Sequence, residues 1–174
     1  MNLEIRRTVY MYQKLEKTQV GDIIEFELKT GEKVEAMKMT LDGIWCFVDC
    51  LEDECDMHDM DKALERVVEE FPDEIRQMLR PFDDGKLLRL PTEKEVFGDN
   101  RVGKPEPDDV VQWEPMKLRR NRIASQGLNG DYEWWWTSTQ HKKDASDFAD
   151  VSNVGFCTCA GASTSHGVRP AFRF

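Results

Sequence analysis

Three consecutive tryptophans, Trp134-Trp135-Trp136, constrain this chain more than any other feature. They sit in DYEWWWTSTQ, a short aromatic block bounded by turn residues, which reads as a strand. Side chains alternate along a strand, so Trp135 faces away from Trp134 and Trp136. Either both faces are covered, by two layers of core or by core plus helix, or one face stays open and offers an indole to a partner. An open indole stacks well on a sugar ring or a protein surface. Trp135 is the candidate for that role, and Trp134 and Trp136 are assigned to the scaffold.

The rest of the sequence supplies the cover. Ile24, Phe26 and Leu28 alternate with Glu25, Glu27 and Lys29, and Val34 and Ala36 alternate in the return strand. Thr30-Gly31-Glu32 and Asp42-Gly43 are turn signals, and Ile44 to Val48 is a short apolar strand. A three-strand meander over 22–49 follows. Between 59 and 80 the period changes. Ala63, Leu64, Val67, Val68 and Phe71 recur at helical spacing, with Asp59 or Asp61 as N-cap and Asp73 capping a second short helix after Pro72. Leu87 to Pro91 reads as a strand. Thr92 and Glu95 form a capping-box pattern for a helical turn over 92–97. Residues 98–112, rich in Pro, Gly and charge, form a long surface loop, and 132–174 are strand-like. Residues 1–19 are expected to be helical or flexible.

Charge excludes one class of partner. With 34 acidic and 24 basic residues the net charge is -10, which repels nucleic-acid phosphates. The basic stretch Lys117-Leu118-Arg119-Arg120-Asn121-Arg122 stands alone in this acidic background and reads as a solvated or internally paired face. No apolar run approaches a membrane span, and the charged opening MNLEIRRTVYMYQKLEK is unlike a signal peptide. The expectation is no membrane insertion, and a cytoplasmic protein or a virion component assembled in a bacterial cytoplasm. Five cysteines, an odd number, argue for reduced thiols.

The order of blocks in the second half carries a resemblance. Leu90-Pro91-Thr92-Glu93-Lys94-Glu95-Val96 is followed by Trp134-Trp135-Trp136-Thr137-Ser138. Then come Asp147-Phe148-Ala149-Asp150-Val151, a Gly155 turn and the closing Gly167-Val168-Arg169-Pro170-Ala171-Phe172. This arrangement resembles a family of largely uncharacterised bacterial and phage domains with a C-type-lectin-like fold, distantly similar to formylglycine-generating enzymes and phage tropism determinants. The resemblance covers most of the chain and is closest after residue 87. It implies an α+β, C-type-lectin-like domain over 1–174: a twisted, mostly antiparallel sheet, one or two packed helices and long loops. Its parts would be the segment 1–19, a meander plus helices over 20–86, and a lectin-like core over 87–174. It also implies that the tryptophan strand and the last strand share one central sheet. Gly167 is expected at a tight backbone position, Arg169 in a buried or half-buried fork with a carboxylate, and Pro170 at an edge or bend near the last strand.

A fold does not hand over a function. The reading carried forward is a non-catalytic binding or structural domain. It would recognise a glycan or protein partner through loops 98–112, 139–147 and 157–166. Its candidate ligand-binding residues are Trp135, Asp108, Asp109, His141, Asp144 and His166. Glu106-Pro107-Asp108-Asp109 is similar to the Glu-Pro-Asn calcium loop of sugar-binding lectins, but the asparagine is absent and no Trp-Asn-Asp block follows. Neither Ser138, His141 and Asp144 nor Ser163, Ser165 and His166 carries a nucleophile-elbow pattern, so no enzyme and no cofactor are expected. Two alternatives stay open. One is an acidic, phage-type inhibitor of a host nucleic-acid-binding enzyme, presenting Glu52 to Asp56 with Asp59, Asp61, Asp108 and Asp109. The other is a cryptic copper or zinc oxidoreductase at Cys157 and Cys159, which would share one face of a strand.

Overall fold

The alternating apolar residues near the N-terminus assemble the meander. A computed structural model describes residues 14–174, with Lys14 and Leu15 in helical conformation; most of the segment expected at 1–19 lies outside the described residues. Strands β1 (Ile23–Glu27), β2 (Lys33–Lys38) and β3 (Ile44–Phe47) pair antiparallel in sequence order. Next to β3 lies β10 (Ala171–Arg173), and beyond it β4 (Leu88–Arg89), giving the order β1-β2-β3-β10-β4. A second sheet joins β7 (Trp135–Gln140), β8 (Asp147–Val151) and β9 (Cys157–Gly161), all antiparallel, and β5 (Ala124–Ser125) pairs with β6 (Tyr132–Glu133). The architecture is mixed α and β, with mostly antiparallel sheets and few helices.

Helix α1 (Met60–Glu70) buries Met60, Ala63, Leu64 and Val67, the stripe its periodicity marks. Asp59 stands at its N-cap but makes no side-chain cap bond. Helix α2 (Asp73–Arg76) follows, with Pro72 rather than Asp73 as its cap residue. Both helices cover one face of the five-stranded sheet. Leu64, Val67, Phe71 and Ile75 join Val34, Ala36, Trp45, Phe47, Leu88 and Phe172 in the main core. Phe47, Phe71 and Phe172 meet edge-on or tilted with ring centroids 5.5–6.0 Å apart, favourable aromatic geometry. On the opposite face, Cys46 and Ala171 pack under Met39, Trp113 and Met116, so this sheet too is covered on both sides. Among the described residues no helix is long and apolar enough to cross a membrane.

The tryptophans resolve differently from the expected assignment. Trp135 and Trp136 are both fully buried, because β7 runs between two cores. Trp136 faces the main core and donates Nε1–H to the Cys55 carbonyl at 2.9 Å. Trp135 faces a second core of Cys50, Val96, Phe97, Ala124 and Val151, and donates to the Arg122 carbonyl at 2.9 Å. Trp135 therefore cannot stack on a ligand. The exposed indole is Trp134, just before β7, at 38% exposure. The tryptophan strand and the last strand also lie in different sheets; Trp135 forms a parallel bridge with Gly167, which precedes β10.

Arg169 departs from its expected fork. It is 1% exposed, donates Nε–H to the Phe47 carbonyl at 2.6 Å and lies over the Trp135 ring at 4.8 Å. Carbonyl and π-face, rather than a carboxylate, receive this cation, and Nη1 has no partner. Gly167 sits where an added Cβ would lie 2.5 Å from Cys50 Sγ and 2.9 Å from Glu133 Cγ, so close packing excludes a side chain there. Pro170 immediately precedes β10, and its carbonyl accepts the Phe47 N–H at 3.0 Å.

Candidate functional site

The long loop 98–112 is ordered from beneath by a buried acid. Helix α3 (Glu93–Phe97) starts at the capping box of Thr92 and Glu95, and Glu95 also grips Arg89 through two bonds of 2.6 and 2.7 Å. The first helical residue, Glu93, is fully buried. Its Oε1 accepts the N–H groups of Arg101 and Val102 at 2.8 and 2.9 Å and the Cys157 thiol at 3.1 Å. Its Oε2 accepts Gly103 N–H at 2.8 Å and Asn100 Nδ2–H at 3.2 Å. Burial alone would raise the pKa of this carboxyl. The donors Val102, Cys157, Asn100 and Gly103 outweigh it and hold the pKa below the ordinary glutamate value. Glu106 extends the network, its Oε2 taking bonds from Asn100, Lys94 N–H and Thr139 Oγ1–H at 2.6–3.1 Å.

Gly103 sits at the tightest point of this network. A Cβ there would press into Thr139 Cγ2 and lie 2.5 Å from Glu93 Oε2. Gly103→Ala is expected to cost about 1–3 kcal/mol by overpacking. The check is a urea melt, supplemented by limited proteolysis within 98–112; a loop as protected as wild type would refute the assignment.

The loop meets the 139–147 hairpin directly. Gly103 bridges His141, and Lys142 N–H bonds the Val102 carbonyl at 3.0 Å. His141 Nδ1 accepts the Asp144 N–H at 3.1 Å, and Asp144 Oδ1 accepts Ser146 Oγ–H at 2.7 Å, so these two candidates form one local turn. The 157–166 segment joins through Ala162 N–H to the Ser146 carbonyl at 2.7 Å. Asp108 and Asp109 are exposed at a turn of the long loop.

His166 lies elsewhere, in a different constellation. Its Nε2 is 3.2 Å from Oδ2 of Asp150, a carboxylate with no exposed surface. Asp150 pairs with Trp136 across β7–β8 and with Thr158 across β8–β9. The imidazole stacks with Trp134, centroids 6.0 Å apart and planes at 25°, and contacts Trp136 at 4.6 Å. Beside Trp134, Glu133 Oε1 accepts the Trp134 N–H at 2.8 Å. Burial, the neighbouring Glu54 charge and its hydrogen bond raise the Glu133 pKa, against the lowering pull of the Trp134 N–H and His166. Trp134, His166, Asp150, Glu133 and Glu54 thus form one partly exposed patch. Sequence reasoning named only His166 as a ligand residue here. Asp150 appeared only as part of a family block, and its pairing with a residue sixteen positions away has no local sequence signal.

The thiols sit on the other side of the sheet. In β9, Cys157 and Cys159 oppose Val151 and Ala149, while Thr158 opposes Asp150. Alternation puts both sulfurs on the face away from His166. Burial, reinforced by Glu93, pushes the Cys157 thiol pKa up, which disfavours the thiolate. Among the described residues no group of three or more His, Cys, Asp and Glu side chains is arranged to hold a metal.

Several of the carboxylates proposed for acidic mimicry face cations. Asp53 lies near Arg66, Asp59 near Lys62 and Asp61 near Lys86, at 2.7–3.8 Å. The basic stretch is likewise used internally, with Lys117 on Glu114 and Arg122 on the Met116 and Gly155 carbonyls. No protein-family model matches this chain, and neither a curated protein nor a solved structure matches it.

Proposed function

We propose that this chain is a non-catalytic binding domain of the C-type-lectin-like class found in bacteria and phages, and that it recognises a glycan or protein partner. The observation that carries the reading is the Trp134–His166 stack. It presents a partly exposed indole at the surface, and a carboxylate with no exposed surface holds the stacked imidazole in place. Such a platform on a rigid scaffold suits recognition. The adjoining loops 98–112, 139–147 and 157–166 offer a second recognition surface around Asp108, Asp109, His141 and Asp144. The raised Cys157 thiol pKa weighs against nucleophilic or redox use of that sulfur. Interleaved cations weigh against an acidic mimic of nucleic acid.

The test is capture of bacterial cell-wall polysaccharide and lysate proteins by the purified protein, at low and high salt. Salt-resistant capture of polysaccharide is expected, and Trp134→Ala should weaken it by tenfold or more, about 1.4 kcal/mol. Salt-sensitive capture of a basic nucleic-acid enzyme, equally strong with Trp134→Ala, would overturn the reading in favour of the acidic inhibitor.

A further inference from the structure

The five-stranded sheet ends at β1, and among the described residues no strand pairs with its outer side. We propose that this free edge docks an extended, basic peptide segment of a partner protein as a sixth strand. The segment would alternate two kinds of side chain. Apolar ones would seat in a groove beside β1, and Lys or Arg would face Glu25 and Glu35. The proposal is independent of the Trp134 platform.

The backbone supplies the first argument. Lys38 N–H donates to the Asp22 carbonyl at 2.9 Å, and Leu28 N–H donates to the Glu32 carbonyl at 2.8 Å. Positions 22, 24, 26 and 28 therefore bond towards β2, in a register that runs unbroken from Ile23 opposite Met37 to Glu27 opposite Lys33. By the alternation of an antiparallel ladder, the N–H and C=O groups of Ile23, Glu25 and Glu27 point to the open edge. Lys29 N–H bonds the Glu70 carbonyl at 2.7 Å, which ends the open stretch. Such a row of outward groups is a template for a further strand, and β1 carries no Pro, Lys or bulge to blunt it.

The groove is the second argument. A cavity of about 400 Å³ is lined by the consecutive residues Asp22 to Phe26, so it follows the strand's rim rather than one face. Leu15, Ile75 and Phe174 complete its apolar lining. Ile24 and Phe26 pack against the main core yet stay half-buried, whereas their cross-strand partners Ala36 and Val34 are 0% and 5% exposed. The cover of the core thus runs out at β1. Apolar side chains of an added strand would lie beside Ile24 and Phe26 and extend that cover.

Charge selects the partner. Glu25 stands directly opposite Glu35 across β1–β2, a like-charge pairing that costs stability. Among the described residues neither forms an ion pair with Lys or Arg. A second copy of β1, laid antiparallel with its apolar residues towards the same groove, would bring Glu25 and Glu27 against their own counterparts. That repulsion disfavours self-pairing. A strand with Lys or Arg at alternate positions would instead relieve it. Main-chain pairing and the groove supply the binding, and the acids choose which sequence binds.

The test combines peptide titration with amide hydrogen exchange on the full chain at low salt. The probes are a short peptide alternating lysine and valine, the same peptide N-methylated at its lysines or at its valines, and a glutamate–valine counterpart. The lysine–valine peptide is expected to bind and to slow exchange at Ile23, Glu25 and Glu27. In an antiparallel addition its lysine N–H groups face Glu25, so methylating the lysines should weaken binding about tenfold or more. Glu25→Lys, which places opposite charges across β1–β2, should fold at least as stably and weaken binding about fivefold. If neither methylation weakens binding, edge pairing is overturned. Equal binding of the glutamate–valine peptide would overturn the basic partner, and no binding by any peptide would overturn the whole proposal. Amides of 23, 25 and 27 already protected in the free protein would also overturn it. Protection at every concentration would assign the edge to the chain itself, and protection that grows with concentration would assign it to a second copy.

Discussion

Replacing Trp135 with alanine is expected to cost about 3–5 kcal/mol of folding stability, the range for deleting a large aromatic from a core. Three losses coincide at this site. An indole of this kind removes on the order of 150–250 Å² from water, and Trp135 has no exposed surface. Its Nε1–H bond to the Arg122 carbonyl ties the 119–122 turn to the sheet. Its π-face receives the buried Arg169 guanidinium, which would otherwise keep only its bond to Phe47. Urea denaturation measures the loss. Trp134→Ala, at a half-open position, should stay within about 1 kcal/mol of wild type. A Trp135→Ala variant as stable as Trp134→Ala would show that the second core does not carry the weight assigned to it.

Glu93→Ala should be nearly as damaging, about 3–5 kcal/mol, because it strands donors rather than only opening a cavity. The Val102 and Gly103 N–H groups lose their acceptor, and an unsatisfied buried donor costs about 1–3 kcal/mol. The melting temperature should fall by on the order of 10 °C for a chain of this size. The acid also carries a pH signature. Its folded pKa lies below the ordinary glutamate value of about 4.3, so its contribution is fully present above that pH. The contribution is lost as pH falls through the folded value. Wild type should therefore lose stability from about pH 5 downward, and Glu93→Gln, which cannot titrate, should lose less over the same interval. Parallel acid limbs for the two proteins would exclude Glu93 as a source of acid sensitivity.

Local patterns were legible in the sequence where one element decides its own geometry. The alternation of Ile24, Phe26 and Leu28 and the turn at Thr30-Gly31 identify the β1–β2 hairpin. The Thr92 and Glu95 spacing gives the capping box, because the box closes within four residues. Long-range choices were not legible. Alternation separates Trp135 from its neighbours, but not which face is covered, since that depends on α3 and β5 packing from distant sequence. Likewise the sequence leaves Arg169 buried or half-buried, and the fold buries it. Only the assembled fold brings it Phe47 and Trp135 in place of a carboxylate. Glu93 is one acid in a charged helical turn, and no local pattern marks it as the acceptor that organises loop 98–112. Nothing in either segment names the other, or names Cys157 sixty-four positions away.

The placement of β10 between β3 and β4 has a consequence for biosynthesis. As the chain emerges from the ribosome, β1, β2 and β3 can pair at once, but β3 keeps one unpaired edge and β4 has no neighbour. Both must wait until residues 171–173 leave the exit tunnel, since β10 is the partner of each. Until then the nascent chain displays open strand edges beside an aromatic core, the condition that favours intermolecular pairing. Closure of the sheet is deferred to one late insertion, and transient protection by a chaperone would act on that interval.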